Sequence, residues 1–204
     1  RSLRTNLAFA RPDAPLRTLL VTSPTADEDR STALANLAVV SAEAGARVVV
    51  VDCDLRRPSQ HARFGLPNET GVTTALVDDE ALGHLPLQAT AVSGLQVLTS
   101  GPLPPNPAEL LGTRRMRSLV DKLVAEADLV LFDAPPVVPV TDSAVLAPLV
   151  DGVLLVLESG RSRRDQAARA REILDNVGAH VVGVVLTGVA PDATSYGYYG
   201  AEAR

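Results

Sequence analysis

Short apolar runs alternate with longer amphipathic segments along most of the chain. The runs are apolar throughout, so we expect both of their faces to be buried, as in a parallel sheet. The strands predicted from these runs are 19–21, 48–51, 129–132, 153–157 and 181–186. The helices predicted between them are 32–44, 113–126, 141–149 and 163–177. This alternation predicts an α/β fold, a doubly wound, mainly parallel sheet flanked by helices, in which most apolar runs simply form the core.

Composition narrows the possible functions. The 204 residues are 46% hydrophobic and 21% charged, which suits a packed α/β domain. One cysteine and three scattered histidines argue against an internal disulfide, a cysteine-rich zinc site and a histidine metal cluster. The net charge of −5 gives no support for a nucleic-acid partner, so none is expected. The longest uncharged run, 81–108, is broken by prolines and glycines and is not a membrane helix.

Candidate chemistry follows three of the predicted strands. Residues 22–32 connect the first strand to a helix, where a phosphate-binding loop would lie. Asp52 and Asp54 follow the second strand, and Asp133 follows a third. Carboxylates at the ends of parallel strands are typical ligands for Mg²⁺, directly or through water. A single such Asp is weak support because strand ends often carry Asp, but three strand ends together indicate a nucleotide site.

Several motifs resemble those of the bacterial tyrosine kinases that accompany polysaccharide co-polymerases, within the MinD/ParA-type P-loop ATPases. Residues 50–58 read V-V-D-C-D-L-R-R-P, like the Walker A′ segment of that family. Residues 133–136, D-A-P-P, resemble its Walker B end, and 101–111, G-P-L-P-P-N-P-A-E-L-L, match a family-specific loop. The resemblance implies a P-loop NTPase-like domain over 1–190, with a truncated N-terminal oligomerisation helix at 1–12, and a flexible tail at 191–204.

The resemblance also implies a role for each site residue. The family uses Mg-ATP, with catalytic carboxylates matching Asp52, Asp54 and Asp133. The nucleotide site would be formed by Asp27, Glu28, Asp29, Arg30, Ser31, Thr32 and Thr187. If nucleotide binds, Mg²⁺ would be held by Ser31, Asp54 and Asp133. The expected oligomer contacts are Arg1 and Arg4, which share one helix face, although arginines on a solvated helix are the simpler interpretation.

The phosphate-binding loop departs from the family pattern, which is roughly S-A-x-P-G-E-G-K-S-T. Asp27 and Asp29 replace the two glycines, and Arg30 replaces the lysine. One carboxylate and one phosphate charge about 5 Å apart repel by about 3 kcal/mol at an effective dielectric constant of about 20. Two aspartates could therefore offset most of the roughly 8 kcal/mol of a micromolar site. Arg30 is longer and planar, and it could pair with Asp27 or Asp29 within the loop.

A second departure concerns the predicted adenine-contacting position. Thr187 stands where the family has an asparagine, and it lacks the carboxamide that can both donate to and accept from a base. Both departures weaken one site, so the leading hypothesis is a pseudokinase with lost or impaired ATP binding that regulates exopolysaccharide or capsule assembly. The alternatives are an active tyrosine autokinase using Mg-ATP and a MinD/ParA-like positioning ATPase.

The three tyrosines of the chain, Tyr196, Tyr198 and Tyr199, all fall in its last nine residues. They resemble the family's C-terminal phospho-acceptor cluster. The alternative is a flexible tail in which the tyrosines occur by chance. The resemblance implies a membrane co-polymerase segment as partner, in the same chain or in a separate protein. It also implies a homo-oligomer or an active kinase paralogue as a further partner. The expected location is cytoplasmic, at the inner face of the bacterial plasma membrane.

Overall fold

A computed structural model describes residues 2–10, 15–26 and 29–189. Within these residues, seven strands form one sheet in the order β3-β4-β2-β5-β1-β6-β7. All neighbouring strands are parallel except β3 and β4, which are antiparallel. The strands are Thr18–Thr22 (β1), Val48–Asp52 (β2), Gln88–Ala89 (β3), Leu95–Leu98 (β4), Leu129–Asp133 (β5), Gly152–Glu158 (β6) and Val181–Thr187 (β7). The predicted doubly wound, mainly parallel α/β fold is confirmed.

Helices cover both faces of this sheet. They are Ser2–Ala10 (α1), Arg30–Ala42 (α2), Gln60–Phe64 (α3), Val72–Val77 (α4), Asp79–Gly83 (α5), Pro107–Leu111 (α6), Arg114–Glu126 (α7), Asp142–Leu146 (α8) and Arg164–Asn176 (α9). Side chains of β1 alternate between the faces: Leu19 and Val21 pack in the core that contains α2, and Leu20 packs in the core that contains α7. None of the described helices is both long and apolar enough to cross a bilayer.

All five predicted strands are present, but two further strands were missed. The expected burial on both faces is wrong for β7, because it is the edge strand of the sheet and its Val184 and Leu186 are exposed. β4 has only four residues, and its Gln96 side chain is exposed. It lies in a stretch rich in glycine and proline, so its apolar signal is too short to detect from periodicity. The helix predicted over 141–149 is also interrupted: α8 ends at Leu146 and a 3₁₀ turn follows at Ala147–Leu149. Pro148 has no N–H to continue the α-helical hydrogen bonds.

The strand register brings the candidate carboxylates to one edge of the sheet. Asp52 at the end of β2 lies opposite Asp133 at the end of β5, and Asp133 lies opposite Val21 of β1. The connection from β1 to α2 leaves the sheet at this same carboxyl edge. This is the edge at which parallel α/β folds bind their ligands.

Candidate functional site

A cavity of about 710 Å³ opens at the carboxyl edge of the sheet. Its walls come from the start of α2, the segments that follow β2 and β6, and the proline-rich turn after β5. The lining residues are Ala26, Asp29, Arg30, Ser31, Asp54, Arg56, Arg57, Ser59, Arg63, Pro135, Pro136, Pro139, Val140, Glu158 and Arg161. Five arginines and three acidic residues therefore face one space that is large enough for a small molecule.

Arg30 lies at the floor of this cavity, as the first residue of α2, and is only 7% exposed. Its terminal nitrogen forms an ion pair with Asp54, and its Nε donates to the carbonyl oxygen of Ala134 at 2.6 Å. The same Nε lies 3.8 Å from Oδ1 of Asp133. The sequence suggested that Arg30 could pair with Asp27 or Asp29. Asp29 lies instead 3.8 Å from Arg63, and Asp27 is outside the described residues.

Asp52 lies beneath the cavity and does not line it. Its Oδ2 accepts the backbone N–H groups of Ser59 and Gln60, both at 2.9 Å, at the start of α3. Its Oδ1 accepts the N–H of Asp54 at 3.3 Å. These bonds satisfy N–H groups that the first turn of a helix leaves unpaired, so Asp52 fixes the segment after β2 and orients Asp54.

Gln60 is a site residue that the sequence did not reveal. Its amide nitrogen donates to Oδ2 of Asp133 at 2.6 Å and to the carbonyl oxygen of Ser31 at 3.2 Å. The side chain is fully buried, and its Oε1 has no hydrogen-bond partner among the described residues. Gln60 thus links α3, β5 and α2, and nothing in its immediate sequence distinguishes it from a surface glutamine.

Burial dominates the electrostatics beneath the cavity. Burial, together with the nearby charge of Asp133, raises the pKa of Asp52 to about 8. Burial also raises the pKa of Asp133, and the positive charge of Arg30 opposes this shift. The pKa of the Cys53 thiol is raised well above its ordinary value, chiefly by burial, which indicates a structural and unreactive cysteine.

Four arginines surround the mouth of the cavity. Arg56 forms an ion pair with the buried Asp142 at 3.1 Å, and Arg161 lies 3.3 Å from Glu158. Arg63 donates to Oγ1 of Thr32 at 2.5 Å, across the start of α2. The exposed side chain of Arg57 has no hydrogen bond or ion pair with any described residue.

Comparison with known proteins identifies the family, although no family model matches. The chain is 40% identical to the tyrosine-protein kinase YwqD of Bacillus subtilis (strain 168) over 203 residues, 99% of this chain and 85% of that protein. The chain belongs to the bacterial tyrosine kinase family. The kinase domain of the Escherichia coli tyrosine kinase ETK superposes with a TM-score of 0.88 at 35% identity, covering 97% of this chain and 78% of that one. The septum site-determining protein MinD of Pyrococcus horikoshii OT3 shares the fold, with a TM-score of 0.68 at 20% identity over 83% of this chain and 69% of that one.

The bacterial tyrosine kinase fold brings together some of the predicted nucleotide-site residues. Asp29, Arg30, Ser31 and Asp54 line the cavity, and Asp133 lies just beneath Arg30. Thr32 contacts Arg63 and is not part of the wall. Thr187 is also outside the wall: it pairs with Glu158 across the sheet, and its hydroxyl donates to the carbonyl oxygen of Leu157 at 3.2 Å.

The remaining predicted residues lie away from this cavity or cannot be placed. Arg4 is on α1 and lines a separate, mostly apolar groove near the amino ends of β1 and β5. Its role in an oligomer contact stays a prediction. Six predicted residues fall outside the described ranges: Arg1, Asp27, Glu28, Tyr196, Tyr198 and Tyr199.

The oxygen donors proposed for Mg²⁺ are of the right chemical kind but do not fit the ion as arranged. Ser31, Asp54 and Asp133 offer the hydroxyl and carboxylate oxygens that Mg²⁺ prefers. The guanidinium of Arg30, however, already pairs with Asp54 and lies near Asp133. A dication between these carboxylates would have to displace a buried cation that also bonds Ala134. The local charge is therefore balanced without a metal ion.

Proposed function

We propose that this member of the bacterial tyrosine kinase family is a pseudokinase whose binding of Mg-ATP is lost or severely impaired. The observation that carries the proposal is the position of Arg30. In place of a lysine free to face phosphate, the loop supplies a guanidinium that is buried against Asp54 and near Asp133. A phosphoryl-transfer site would use its basic group to bind phosphate and its acidic groups to hold the metal ion. Here Arg30 interacts with Asp54 and Asp133 instead.

The loop charge adds to this effect. Asp29 is exposed at the cavity wall, at the N-terminus of α2, and its side chain does not cap the helix. A carboxylate here repels the phosphates that a helix N-terminus would otherwise attract. Arg63 lies 3.8 Å from Asp29 and offsets part of the negative charge of that carboxylate. Arg63 also donates a hydrogen bond to the hydroxyl of Thr32. Phosphate binding in the manner of an ordinary P-loop is therefore disfavoured.

The biological role follows from membership of the family and remains part of the proposal. The domain would regulate exopolysaccharide or capsule assembly at the inner face of the bacterial plasma membrane, together with a membrane co-polymerase segment. Without a working catalytic site, its regulatory contribution would come from docking to that segment, to further copies of itself or to an active kinase paralogue. The tail tyrosines, Tyr196, Tyr198 and Tyr199, would then be phosphorylated by the paralogue.

The first test is calorimetric titration of Mg-ATP and Mg-ADP into the purified protein, with thermal unfolding alongside. A specific ligand would raise the unfolding temperature by mass action, so we expect neither heat nor a shift at concentrations where an ordinary site saturates. The matched variant is the triple substitution Asp27→Gly, Asp29→Gly and Arg30→Lys, which restores the family loop. We expect this variant to gain binding by at least about 100-fold, because two repulsive carboxylates are removed.

A phosphotyrosine immunoblot separates the pseudokinase from the active autokinase. The retained residues Ser31, Asp54 and Asp133 are the observation that favours the autokinase. Strong self-labelling of the purified protein with Mg-ATP, abolished by Asp54→Ala, would overturn the pseudokinase proposal. The positioning-ATPase alternative has only the shared fold in its favour.

A further inference from the structure

We infer that a second groove, at the amino edge of the sheet, binds a small amphipathic hydroxy acid, which is a hydrocarbon that carries one hydroxyl and one carboxylate group. The groove lies between α1, α2 and the amino ends of β1 and β5, at the opposite edge of the sheet from the cavity that contains Arg30. The inference goes beyond the proposed function, because it concerns a separate site and holds whether or not Mg-ATP binds.

The size and the walls of the groove suit a small apolar body. Its volume is about 380 Å³, within the range of sites that bind small organic molecules. None of the described residues that line it is acidic. Five leucines from separate parts of the fold line it: Leu7, Leu16, Leu19, Leu37 and Leu129. Burial of a hydrocarbon against these side chains would supply most of the free energy of binding.

A hydroxyl without a partner lies in this apolar wall. Ser41, on the last turn of α2, is only 3% exposed, and its Oγ has no hydrogen-bond partner among the described residues. A buried hydroxyl without a partner is costly, and a ligand group that bonds to it removes this cost. The C-terminus of a helix carries a partial negative charge, so a neutral hydroxyl suits this position better than an anion. The apolar body of the ligand therefore carries a hydroxyl group.

A positive charge lies at the solvent side of the groove. Arg4, on α1, is exposed and forms no hydrogen bond or ion pair with any described residue. A guanidinium binds a carboxylate through two parallel hydrogen bonds, so an unpaired arginine beside an apolar groove is suited to an organic acid. Because Ser41 favours a neutral group and Arg4 an anionic one, the ligand carries its carboxylate at the end that faces solvent.

The experiment is calorimetric titration of the purified full chain with three probes of equal chain length. The probe ω-hydroxydecanoate carries both polar groups, decanoate lacks the hydroxyl, and decanol lacks the carboxylate. We expect ω-hydroxydecanoate to bind about fivefold more tightly than decanoate and about tenfold more tightly than decanol, because each comparison removes one hydrogen-bonding group. Equal affinity for the three probes, or no binding of any of them, would overturn the inference.

Two substitutions test the two polar contacts separately. Ser41→Ala should weaken the binding of ω-hydroxydecanoate and decanol by about fivefold and leave that of decanoate unchanged, because only decanoate lacks the hydroxyl. Arg4→Gln should weaken the binding of ω-hydroxydecanoate and decanoate by about tenfold and leave that of decanol unchanged. The matched control is Arg117→Gln, which removes an exposed positive charge on α7, outside the groove, and should change none of the three affinities.

The other outcomes contradict the inference. Equal losses in Arg4→Gln and Arg117→Gln would mean that the net charge of the protein, and not the groove, attracts the carboxylate. If Arg4→Gln abolished self-association in sedimentation and left the affinity for decanoate unchanged, Arg4 would be an oligomer contact and the proposed ligand class would be wrong. A loss of the same size for all three probes in Ser41→Ala would indicate altered packing of the groove and would exclude a bond from Ser41 to the ligand hydroxyl.

Discussion

Arg30 balances two carboxylates in a part of the protein from which water is largely excluded. Its partner Asp54 is 3% exposed, and Asp133 is fully buried. Charges in such surroundings interact more strongly than at the surface, and removing one partner leaves the other uncompensated. A lysine ammonium would have neither the reach nor the fork that lets Arg30 contact Asp54 and Ala134 at once. At the residue scale, the Arg30 side chain therefore stabilises the folded protein and also blocks the carboxylates that would otherwise hold Mg²⁺.

The substitution Arg30→Met tests that connection through stability. It keeps a long side chain but removes the charge, so we expect the free energy of unfolding to fall by about 3 kcal/mol at neutral pH. Urea unfolding in EDTA measures the change. The double variant Arg30→Met with Asp54→Asn should recover part of the loss, because it no longer leaves Asp54 unpaired. A loss below about 0.5 kcal/mol, as is common for surface substitutions, would mean that the pair contributes little.

The start of α4 depends on close contact with the segment that follows β4. Backbone N–H groups of Val72 and Thr73 donate to the carbonyl oxygens of Thr99 and Ser100, at 2.8 and 2.9 Å. These bonds satisfy donors that no earlier helical turn can reach. Gly71 makes the approach possible, because a Cβ at this position would lie 2.0 Å from the carbonyl oxygen of Thr99. At the element scale, the absence of a side chain at Gly71 allows α4 to pack against the segment that follows β4.

The substitution Gly71→Ala should therefore be strongly destabilising. The clashing atoms belong to the backbone and cannot rotate away, so we expect a loss of about 3 kcal/mol or more. Thermal and urea unfolding measure it. Gly83→Ala, at the end of α5, is the matched control, because no atom lies within 4 Å of its added Cβ and its φ is not positive. Equal stability of the two variants would contradict the close packing of α4 on this segment.

The whole molecule contains carboxyl groups whose pKa values are shifted in opposite directions at the surface and in the interior. At the surface, hydrogen bonds and charge from Arg47 lower the pKa of Asp128 to about 2. In the interior, burial raises the pKa of Asp52 to about 8 and also raises the pKa of Asp133. An unfolded chain would titrate all of these groups near pH 4. The interior groups therefore determine how stability changes at mildly acid to neutral pH.

We expect the stability of the metal-free protein to fall as the pH rises from about 5 to about 8. In this interval the folded state retains a proton on Asp52 that the unfolded chain releases, so raising the pH favours unfolding, and the raised pKa of Asp133 acts in the same direction. Below about pH 4 the trend reverses, since Asp128 gains its proton in the unfolded state first. Urea unfolding in EDTA across this range measures the slope. Constant or rising stability between pH 5 and pH 8 would show that these carboxylates are ionised in the folded protein.

The apolar runs by themselves predicted the five strands β1, β2, β5, β6 and β7, the doubly wound arrangement and the edge of the sheet at which the cavity lies. They could do so because burial on both faces gives β1, β2, β5 and β6 a continuous apolar signal, and parallel strands end at a common edge. β7 carries a similar apolar run although it is the partly exposed edge strand. The motifs around Asp54 and Asp133 added the family and the cavity. The short strand β4 and the interruption of the helix at Pro148 were missed, since neither carries a strong periodic signal.

Only the tertiary structure decided which charges meet. Sequence proximity suggested a pair between Arg30 and Asp27 or Asp29, but folding places Arg30 against Asp54, 24 positions away. The same folding turned Asp52 into a cap for α3 and made Gln60 a buried link to Asp133. Ion pairs and buried hydrogen bonds depend on distances of a few ångströms between distant segments, which no local pattern specifies. The sequence therefore predicted some residues of the cavity, such as Arg30 and Asp54, whereas the fold determined which charges meet and brought Gln60 to the site.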